Sequence, residues 1–361
     1  MHTSLRKLCS GVVFRSSAVG LVVMLGALVT AAPASASAMT SGFNTPGNIL
    51  IADQFNNRVI EIDRHHHIVW QWGVGPNDLG RTSIIGVNDA ERVGNLTLMA
   101  GTGTPPNTVP SCTNPNGCPD NRVLLVNQGG KIVWQYGHFG PGGSGPDQLN
   151  TPVQNTYLPN GDILITDQAN ERVIEVNRAK QIVWQYGHTG VTGSADNFLN
   201  NPNSAELLAN GHILISDENN NRAIEVNRDK DVLRTFTAGG TTSGVAFASR
   251  LRNGDTLITD SNNSRIVEVN AADVPVWSYL TNTQVGSNPS PAPTRAVRLH
   301  NGDTLISDQF NQRVIEVDSQ GNIVFTEGVL NKPGFGGRRL NGPYDAKVIG
   351  DYTGLTPPFF V

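Results

Sequence analysis

The amino-acid sequence predicts an all-β protein, a six-bladed β-propeller made of four-stranded antiparallel blades. Three observations predict this fold. The segment N-G-D-I-L-I-x-D-x-x-N-x-R-V-I-E-V-(N/D) recurs along the chain, each recurrence contains four short runs of β-branched and aromatic residues, and the two chain ends carry complementary parts of one copy. Four strands in each repeat of about 45 residues is typical of propeller blades.

The number of copies follows from the aspartate at the end of the second strand. Successive aspartates are separated by 114, 50, 43 and 48 residues, so the first gap is about twice the others. A degenerate copy fills this gap with residues 94–99 and 121–127, separated by an insertion, and completes a set of six. The recurring aspartates are Asp53, Asp167, Asp217, Asp260 and Asp308, and the arginines that follow them are Arg58, Arg172, Arg222, Arg265 and Arg313.

We interpret these recurring residues as structural, because a catalytic site normally occurs once and they occur in five copies. Asp167 is expected to cap the following turn by accepting backbone N–H bonds, and Asn170 to occupy a left-handed position in it. The tryptophans recur at one position of the fourth strand, where we expect them to pack between blades: Trp70, Trp134, Trp184 and Trp277.

The chain ends indicate how the ring closes. Residues 45–47 lead directly into a second strand, so the first copy lacks its innermost strand. Residues 340–349 match the beginning of a blade, as at residues 199–208. We therefore predict that the C-terminal strand pairs with the N-terminal blade and removes an exposed sheet edge.

The first 38 residues have a different character from the repeats. Arg6 and Lys7 precede an apolar run at residues 18–32, and an A-x-A-type stretch follows at 33–38. This order predicts a secretory signal peptide at residues 1–38, followed by one propeller domain at 39–361. The apolar run has about 15 residues and is short for a membrane span, so an uncleaved anchor is the less favoured alternative. We predict a secreted protein, extracellular or periplasmic, without a stable membrane span after cleavage.

The cysteines agree with export. Cys9 belongs to the predicted signal peptide, which leaves Cys112 and Cys118 inside a loop rich in Pro, Gly and Asn. Two neighbouring cysteines in an oxidising compartment predict one local disulfide. A metal site is the weaker interpretation, because no further cysteine or suitable histidine lies nearby to complete a tetrahedral set.

Two families share motifs with this chain. The D-x-x-N-x-R-(V/I) turn and the linker G-x-x-G…F-L-N-N-P at residues 187–202 resemble NHL-repeat propellers, over nearly the whole mature chain. The phrase L-P-N-G-D-I-L-I at 158–165, with I-V-W-Q at 182–185, resembles bacterial arylsulfotransferase propellers. Both resemblances imply the fold, whereas function must be argued from sites.

The sequence departs from the sites of these families. Arylsulfotransferases are similar in using a histidine of the central cavity, and the amidating-lyase branch of NHL propellers holds zinc with inward histidines, but no inner-strand position of this chain is histidine. Gluconolactonase-like propellers hold a divalent cation with central Glu, Asn and Asp. We predict no resident cofactor, and such a cation in the axial channel remains an open alternative.

The innermost strands carry the candidate ligand-binding residues, because the copies differ most there. Charged and amide side chains interrupt a small and apolar pattern in which Ala205, Ala248, Ala296 and Ala346 share one register. Charges near a propeller axis either pair with each other or face a ligand, and several arginines together suit an anion. The candidates are Gln154, Glu206, Arg250, Arg295, Arg298, Asp345 and Lys347, with His138 and His188 in two linkers on the face that carries the cysteine loop.

Composition and motifs together favour a binding protein. The formal net charge is −4 and the isoelectric point about 6.1, which argues against nucleic-acid binding. We predict a monomeric, secreted binding propeller without a catalytic constellation, whose partner is a protein, a glycan or a small anionic ligand. The alternative is an extracellular enzyme, arylsulfotransferase-like, lactonase-like or a lyase, with its site at the mouth of the axial channel.

Overall fold

The computed structural model describes residues 42–351 and confirms the predicted six-bladed, all-β ring. The predicted signal peptide and Cys9 lie outside the described residues. Each blade is a four-stranded antiparallel sheet, and the innermost strands contact one another in a closed cycle around the axis. Within residues 42–351, no helix is long and apolar enough to cross a bilayer.

The first three blades use strands β1 to β11 and the last strand of the chain. Blade 1 contains β1 (Ile49–Asp53), β2 (Arg58–Ile62), β3 (Ile68–Trp72) and, innermost, β24 (Pro343–Val348). Blade 2 contains β4 (Val87–Val93), β5 (Leu96–Thr104), β6 (Cys118–Asn127) and β7 (Ile132–Gly137). Blade 3 contains β8 (Pro152–Tyr157), β9 (Ile163–Asp167), β10 (Arg172–Val176) and β11 (Ile182–Tyr186).

The last three blades repeat the order without interruption. Blade 4 contains β12 (Pro202–Leu207), β13 (Ile213–Asp217), β14 (Arg222–Val226) and β15 (Val232–Phe236). Blade 5 contains β16 (Val245–Arg250), β17 (Thr256–Asp260), β18 (Arg265–Val269) and β19 (Pro275–Leu280). Blade 6 contains β20 (Arg295–Arg298), β21 (Thr304–Asp308), β22 (Arg313–Val317) and β23 (Ile323–Gly328).

Unbroken apolar runs form the second strands because both faces of each blade are buried. In β1, Ile49 and Ile51 pack into the core between blades 6 and 1, whereas Leu50 and Ala52 pack into the core between blades 1 and 2. Six such cores lie between the six pairs of neighbouring blades. The hydrophobic stabilisation therefore lies between blades, and a blade on its own would expose both faces.

In five blades, the D-x-x-N-x-R segment forms a compact cluster of hydrogen bonds at the end of the second strand. We call this cluster the knot. In blade 3, Asp167 accepts hydrogen bonds from Arg172 Nε at 2.7 Å, Asn170 Nδ2 at 2.7 Å and the backbone N–H of Asn150 at 2.7 Å. The carboxylate does not cap its own turn, contrary to the sequence-based expectation; it holds the linker that leads into the inner strand. The left-handed position, with φ 55°, is taken by Glu171 and not by the expected Asn170.

The contacts among aspartate, asparagine and arginine recur in four other blades. In each, the arginine Nε lies 2.7–2.9 Å from the aspartate. We call the side of the ring that carries these turns and the inter-blade linkers the turn face, and the opposite side the hairpin face. The other four turns are 3-10 segments at Gln54–Asn56, Glu218–Asn220, Ser261–Asn263 and Gln309–Asn311.

Ring closure occurs as predicted, in blade 1. Strand β24 pairs antiparallel with β1, with Ala346 opposite Ile51 and Val348 opposite Ile49. The alanine register of the inner strands is also confirmed, since Ala205, Ala248 and Ala296 lie opposite the equivalent isoleucines. The first and last parts of the chain thus share one sheet.

Deletion of residues 340–361 tests this closure. The truncated protein would lose β24 and expose the edge of β1, so we expect aggregation and a broadened unfolding transition, measured by size-exclusion chromatography with light scattering and by urea denaturation. A synthetic peptide of residues 340–351 should restore a monomer by adding the missing strand. A truncated monomer with undiminished stability would contradict the closure.

Candidate functional site

The charged and amide residues predicted near the axis lie on the inner strands and form two groups. One group lies in the middle of the channel, and the other lies where the inner strands reach the hairpin face. The middle group contains Gln154, Glu206, Arg295, Asp345 and Lys347, and the second group contains Arg250 and Arg298.

Within the middle group, Arg295, Asp345 and Lys347 form a buried ionic cluster with Asp89. Lys347 Nζ donates to Asp89 Oδ1 at 2.8 Å, to the backbone oxygen of Ala90 at 2.8 Å and to Asp345 Oδ2 at 2.5 Å. Arg295 lies 2.8 Å from Asp345 and 3.3 Å from Asp89, and its guanidinium stacks over the ring of Phe247 at 4.0 Å. Each cation is therefore paired inside the protein. Asp89 escaped the sequence analysis because it lies in the degenerate copy.

Acidic and amide side chains of the channel bind the free edges of the inner strands. Each such edge faces the axis and presents backbone N–H groups without a strand partner. A side chain of one blade accepts such a bond from the next. Asp345 accepts from Ala90, Asp89 from Asn155, Glu91 from Tyr157, Gln154 from Ala205 and Glu206 from Arg250, with N–O distances of 2.8–3.3 Å.

Burial governs the protonation of these carboxyl groups. Desolvation raises the pKa of Glu91 to about 8 and that of Glu206 to about 7. Desolvation also opposes ionisation of Asp345, but the neighbouring charges of Arg295 and Lys347 outweigh it and keep the pKa of Asp345 below its usual value. Burial thus favours the protonated form of Glu91, whereas the neighbouring cations favour the ionised form of Asp345.

Little free space lies at the mouth of the axial channel on the turn face. A cavity of about 10 Å³ remains there, between Phe247, Arg295, Tyr344 and Asn203. This volume accommodates about one water molecule. Within residues 42–351, no group of three or more His, Cys, Asp and Glu side chains is arranged to hold a metal ion.

The second group of arginines joins neighbouring blades. Each arginine at the end of an inner strand pairs with the glutamate of the R-V-I-E-V strand of the preceding blade. Arg250 pairs with Glu225 and Arg298 with Glu268, both at 2.8 Å. Arg92, which the sequence analysis did not identify, pairs with Glu61 at 2.6 Å, and both side chains are buried.

Two further blade interfaces make the same ion pair with an arginine from a different place. Arg64 and Arg228 lie in turns between third and fourth strands, and they pair with Glu316 and Glu175 of the preceding blades. The glutamate of the repeat is therefore the constant partner. It receives an arginine from whichever part of the next blade supplies one.

An aromatic residue completes each of these contacts. The guanidinium lies 4.4–5.3 Å from the ring of the fourth-strand aromatic residue of the preceding blade, as for Arg92 over Trp70. The predicted packing role of the tryptophans is thus seen. The interface between blades 2 and 3 has the aromatic contact alone, because Leu125 replaces the glutamate and Arg178 stacks over Trp134.

The two candidate histidines occupy equivalent places in successive linkers and are exposed. His138 Nε2 lies 3.7 Å from Asp147 Oδ2, and His188 Nε2 lies 3.2 Å from Asn197 Nδ2. The ring of His188 also contacts Phe198. Neither histidine lines the channel mouth or the cleft described next.

Blade 2 rebuilds the knot of the repeat by another route. Gly101 occupies the second-strand position of the missing aspartate, opposite Arg122. Asp120 on the returning strand supplies the carboxylate, which binds Arg122 and accepts the backbone N–H of Ile85 at 2.7 Å. A Cβ at Gly101 would lie 2.5 Å from Asp120 Oδ2, so glycine is required for the carboxylate to enter.

Because the carboxylate now comes from Asp120 on β6, the segment between β5 and β6 can be longer than the corresponding turn of the other blades. Strands β5 and β6 extend beyond the blade, and the predicted disulfide between Cys112 and Cys118 is present at their tip, with a Cα–Cα distance of 5.8 Å. We call the extended ends of β5 and β6 and the loop between them, residues 102–120, the arm. Ser111 Oγ donates to the backbone oxygen of Pro76 at 2.7 Å and attaches the arm to the linker between blades 1 and 2.

A cleft of about 560 Å³ separates the arm from the linker between blades 2 and 3. We call it the blade 2 cleft. None of its lining residues is charged. They are Thr102, Gly103, Thr104, Pro105, Asn114, Asn116, Gly117, Cys118, Pro119, Asn121, Pro141, Gly142, Asn150 and Thr151.

Comparison with known proteins identifies the fold and no family. No family model matches the chain, and no curated protein matches it in sequence. A protein of unknown function from Bacteroides caccae has a similar structure, with a TM-score of 0.58 and 15% identity, over 84% of this chain and 98% of that chain. A streptogramin B lyase has a TM-score of 0.50 and 12% identity, over 77% of this chain and 78% of that chain. At such identities the similarity concerns the fold alone.

Replacement of Arg92 tests the inter-blade ion pair. Arg92→Ala would leave Glu61 buried without its cation, so we expect a loss of about 3 kcal/mol in the free energy of unfolding, measured by urea denaturation at pH 7. Arg178→Ala is the matched control, because it removes an aromatic contact without a glutamate and should cost at most about 1 kcal/mol. Equal losses in the two variants would refute the role of the glutamate.

The raised pKa of Glu91 predicts a pH-dependent stability. The pKa of Glu91 is about 8 in the folded protein, whereas an unfolded chain would release this proton at the usual glutamate pKa of 4.5. Stability is therefore lost as pH rises through this window. Glu91→Gln keeps an oxygen that can accept the backbone N–H of Tyr157, just as Gln154 accepts the backbone N–H of Ala205. The stability of the variant relative to the wild type should rise by about 4 kcal/mol between pH 5 and pH 9 in urea denaturation; a constant difference would argue against the shift.

Proposed function

We propose that the protein is a secreted, NHL-like propeller that binds its ligand on the turn face, in the blade 2 cleft. One observation carries this proposal. The cleft is built by the single blade that departs from the repeat, and its volume of about 560 Å³ is within the usual range for ligand sites. Export is supported by the signal-like N-terminal sequence and by the disulfide that holds the tip of the arm.

The axial channel supports ligand binding less well. Arg250, Arg295, Arg298 and Lys347 all have carboxylate partners within the protein. An anion at the axis would have to displace these partners, and each displaced carboxylate would remain buried and unpaired. Ligand recognition by the predicted axial residues therefore remains the second place to test.

The enzyme alternative has one observation in its favour. Glu91 and Glu206 are buried carboxyl groups with pKa values raised to about 8 and about 7, and such groups often serve as general acids. Both accept backbone hydrogen bonds from the neighbouring inner strand, and neither lines the cavity of about 10 Å³ at the channel mouth on the turn face. Catalysis there would require the channel to open.

Capture of ligands by the exported protein tests the proposal. The immobilised protein is incubated with growth medium and cell-envelope extract, and retained material is identified by mass spectrometry. We expect a retained compound that is lost from Asn114→Asp/Asn116→Asp, which places charge in a neutral cleft, and from Cys112→Ser/Cys118→Ser, which releases the arm. Arg178→Ala, whose change lies outside the cleft, should retain it.

Activity measurements separate the enzyme alternative. The same protein is assayed with aryl sulfates and lactones. Turnover that Glu91→Gln or Glu206→Gln abolishes, while both cleft variants preserve it, would overturn the binding proposal. Folding of every variant is checked by circular dichroism and thermal unfolding.

A further inference from the structure

The polar groups of the blade 2 cleft are uncharged and partly unsatisfied. The amide of Asn116 has no partner within residues 42–351, nor has Nδ2 of Asn114 or of Asn150. The side chains of Asn114 and Asn116 are exposed and that of Asn150 is half-buried, so these amides are open to a ligand in the cleft.

These groups match the chemistry of hydroxyl groups. A side-chain amide donates from nitrogen and accepts through oxygen, and a threonine hydroxyl does both. A sugar hydroxyl also donates and accepts, so each can bind an amide or a threonine without any charge. Pro105, Pro119 and Pro141 also line the cleft and add apolar surface that can contact the C–H groups of a sugar.

Charged ligands do not fit this cleft. An anion would need a cation or several directed N–H groups, and a cation would need carboxylates. None of the lining residues supplies a charge. The nearest acidic side chain described above, Asp120, is already bound to Arg122.

An extended peptide does not fit either, because the strands at the cleft offer no free edge. Thr102 and Gly103 of β5 donate their N–H groups to Gly86 and Ile85 at 3.1 and 2.8 Å. On the other side, Asp120 of β6 accepts from the backbone of Gly140 at 3.2 Å. Strand addition, the usual way of binding an extended peptide on a sheet, would have to break these bonds.

We infer that the blade 2 cleft binds a neutral oligosaccharide, held by the amides of Asn116 and Asn150. This inference rests on the proposed function, since it names the ligand class of the same cleft. Asn116 lies on the arm and Asn150 on the linker opposite. The ligand would therefore bridge the arm and the linker between blades 2 and 3.

Titration calorimetry with the exported protein tests the inference. The probes are cellohexaose, maltohexaose and chitohexaose as neutral oligosaccharides, hexagalacturonate as an acidic one, and an uncharged Gly-Ser peptide. We expect at least one neutral oligosaccharide to bind with a Kd of about 1 mM or tighter. Asn116→Ala and Asn150→Ala should each weaken binding about fivefold, the equivalent of one hydrogen bond.

Asn200→Ala is the matched control. Asn200 occupies the position of Asn150 in the next linker and makes the same backbone contact, to Asp217, but it lies outside the cleft. Its replacement should leave the affinity unchanged.

Three results would overturn the inference. Binding of none of the neutral oligosaccharides would do so, as would neutral binding that is insensitive to Asn116→Ala and Asn150→Ala. Binding of hexagalacturonate or the peptide alone, if lost in these variants, would reject the ligand class and leave the proposed binding function intact. Failure of the capture experiment described above would instead reject the proposed function itself.

Discussion

The free inner edges of the blades impose the constraint on which the rest of the structure depends. A ring of sheets leaves one strand edge of every blade facing the axis, where unpaired N–H groups are costly once water is excluded. The chain meets this constraint with carboxyl and amide side chains of the preceding blade, such as Gln154 and Glu206, and with Lys347 and Arg295 as counter-ions. Charge at the axis therefore follows from the architecture, and it is not by itself a sign of a ligand.

A second consequence concerns where the ring can vary. The knot of aspartate, asparagine and arginine joins a turn to the linker of the neighbouring inner strand, so the turn cannot lengthen without losing that joint. In blade 2, the carboxylate moves from the second strand to Asp120, and Gly101 makes room for it. The contact with the linker is therefore kept, through the N–H of Ile85, while the segment between β5 and β6 can be longer. The arm, the disulfide and the cleft all depend on this exchange.

Much of this could be read from the sequence, for a physical reason. Short runs of β-branched and aromatic residues, turn residues and a repeated motif are local signals, and they predicted the blade count, the strands and the closure by the C-terminal strand. The recurring Asp167 and Arg172 were recognised as structural because they recur. The details of the knot were misjudged, since the linker of another strand supplies the N–H group and no local pattern reveals that.

The roles of the axial residues were decided by tertiary structure alone. Sequence placed Arg298 and Lys347 on inner strands, but their partners Glu268 and Asp89 lie 30 or more residues away, each on another blade. Pairing between blades depends on their angle and spacing, which no single segment encodes. The cleft likewise forms between two distant segments. By itself the sequence determined the repeat, its count and its order, because these are set by neighbours along the chain; only the closed ring decided which charges meet and where an opening remains.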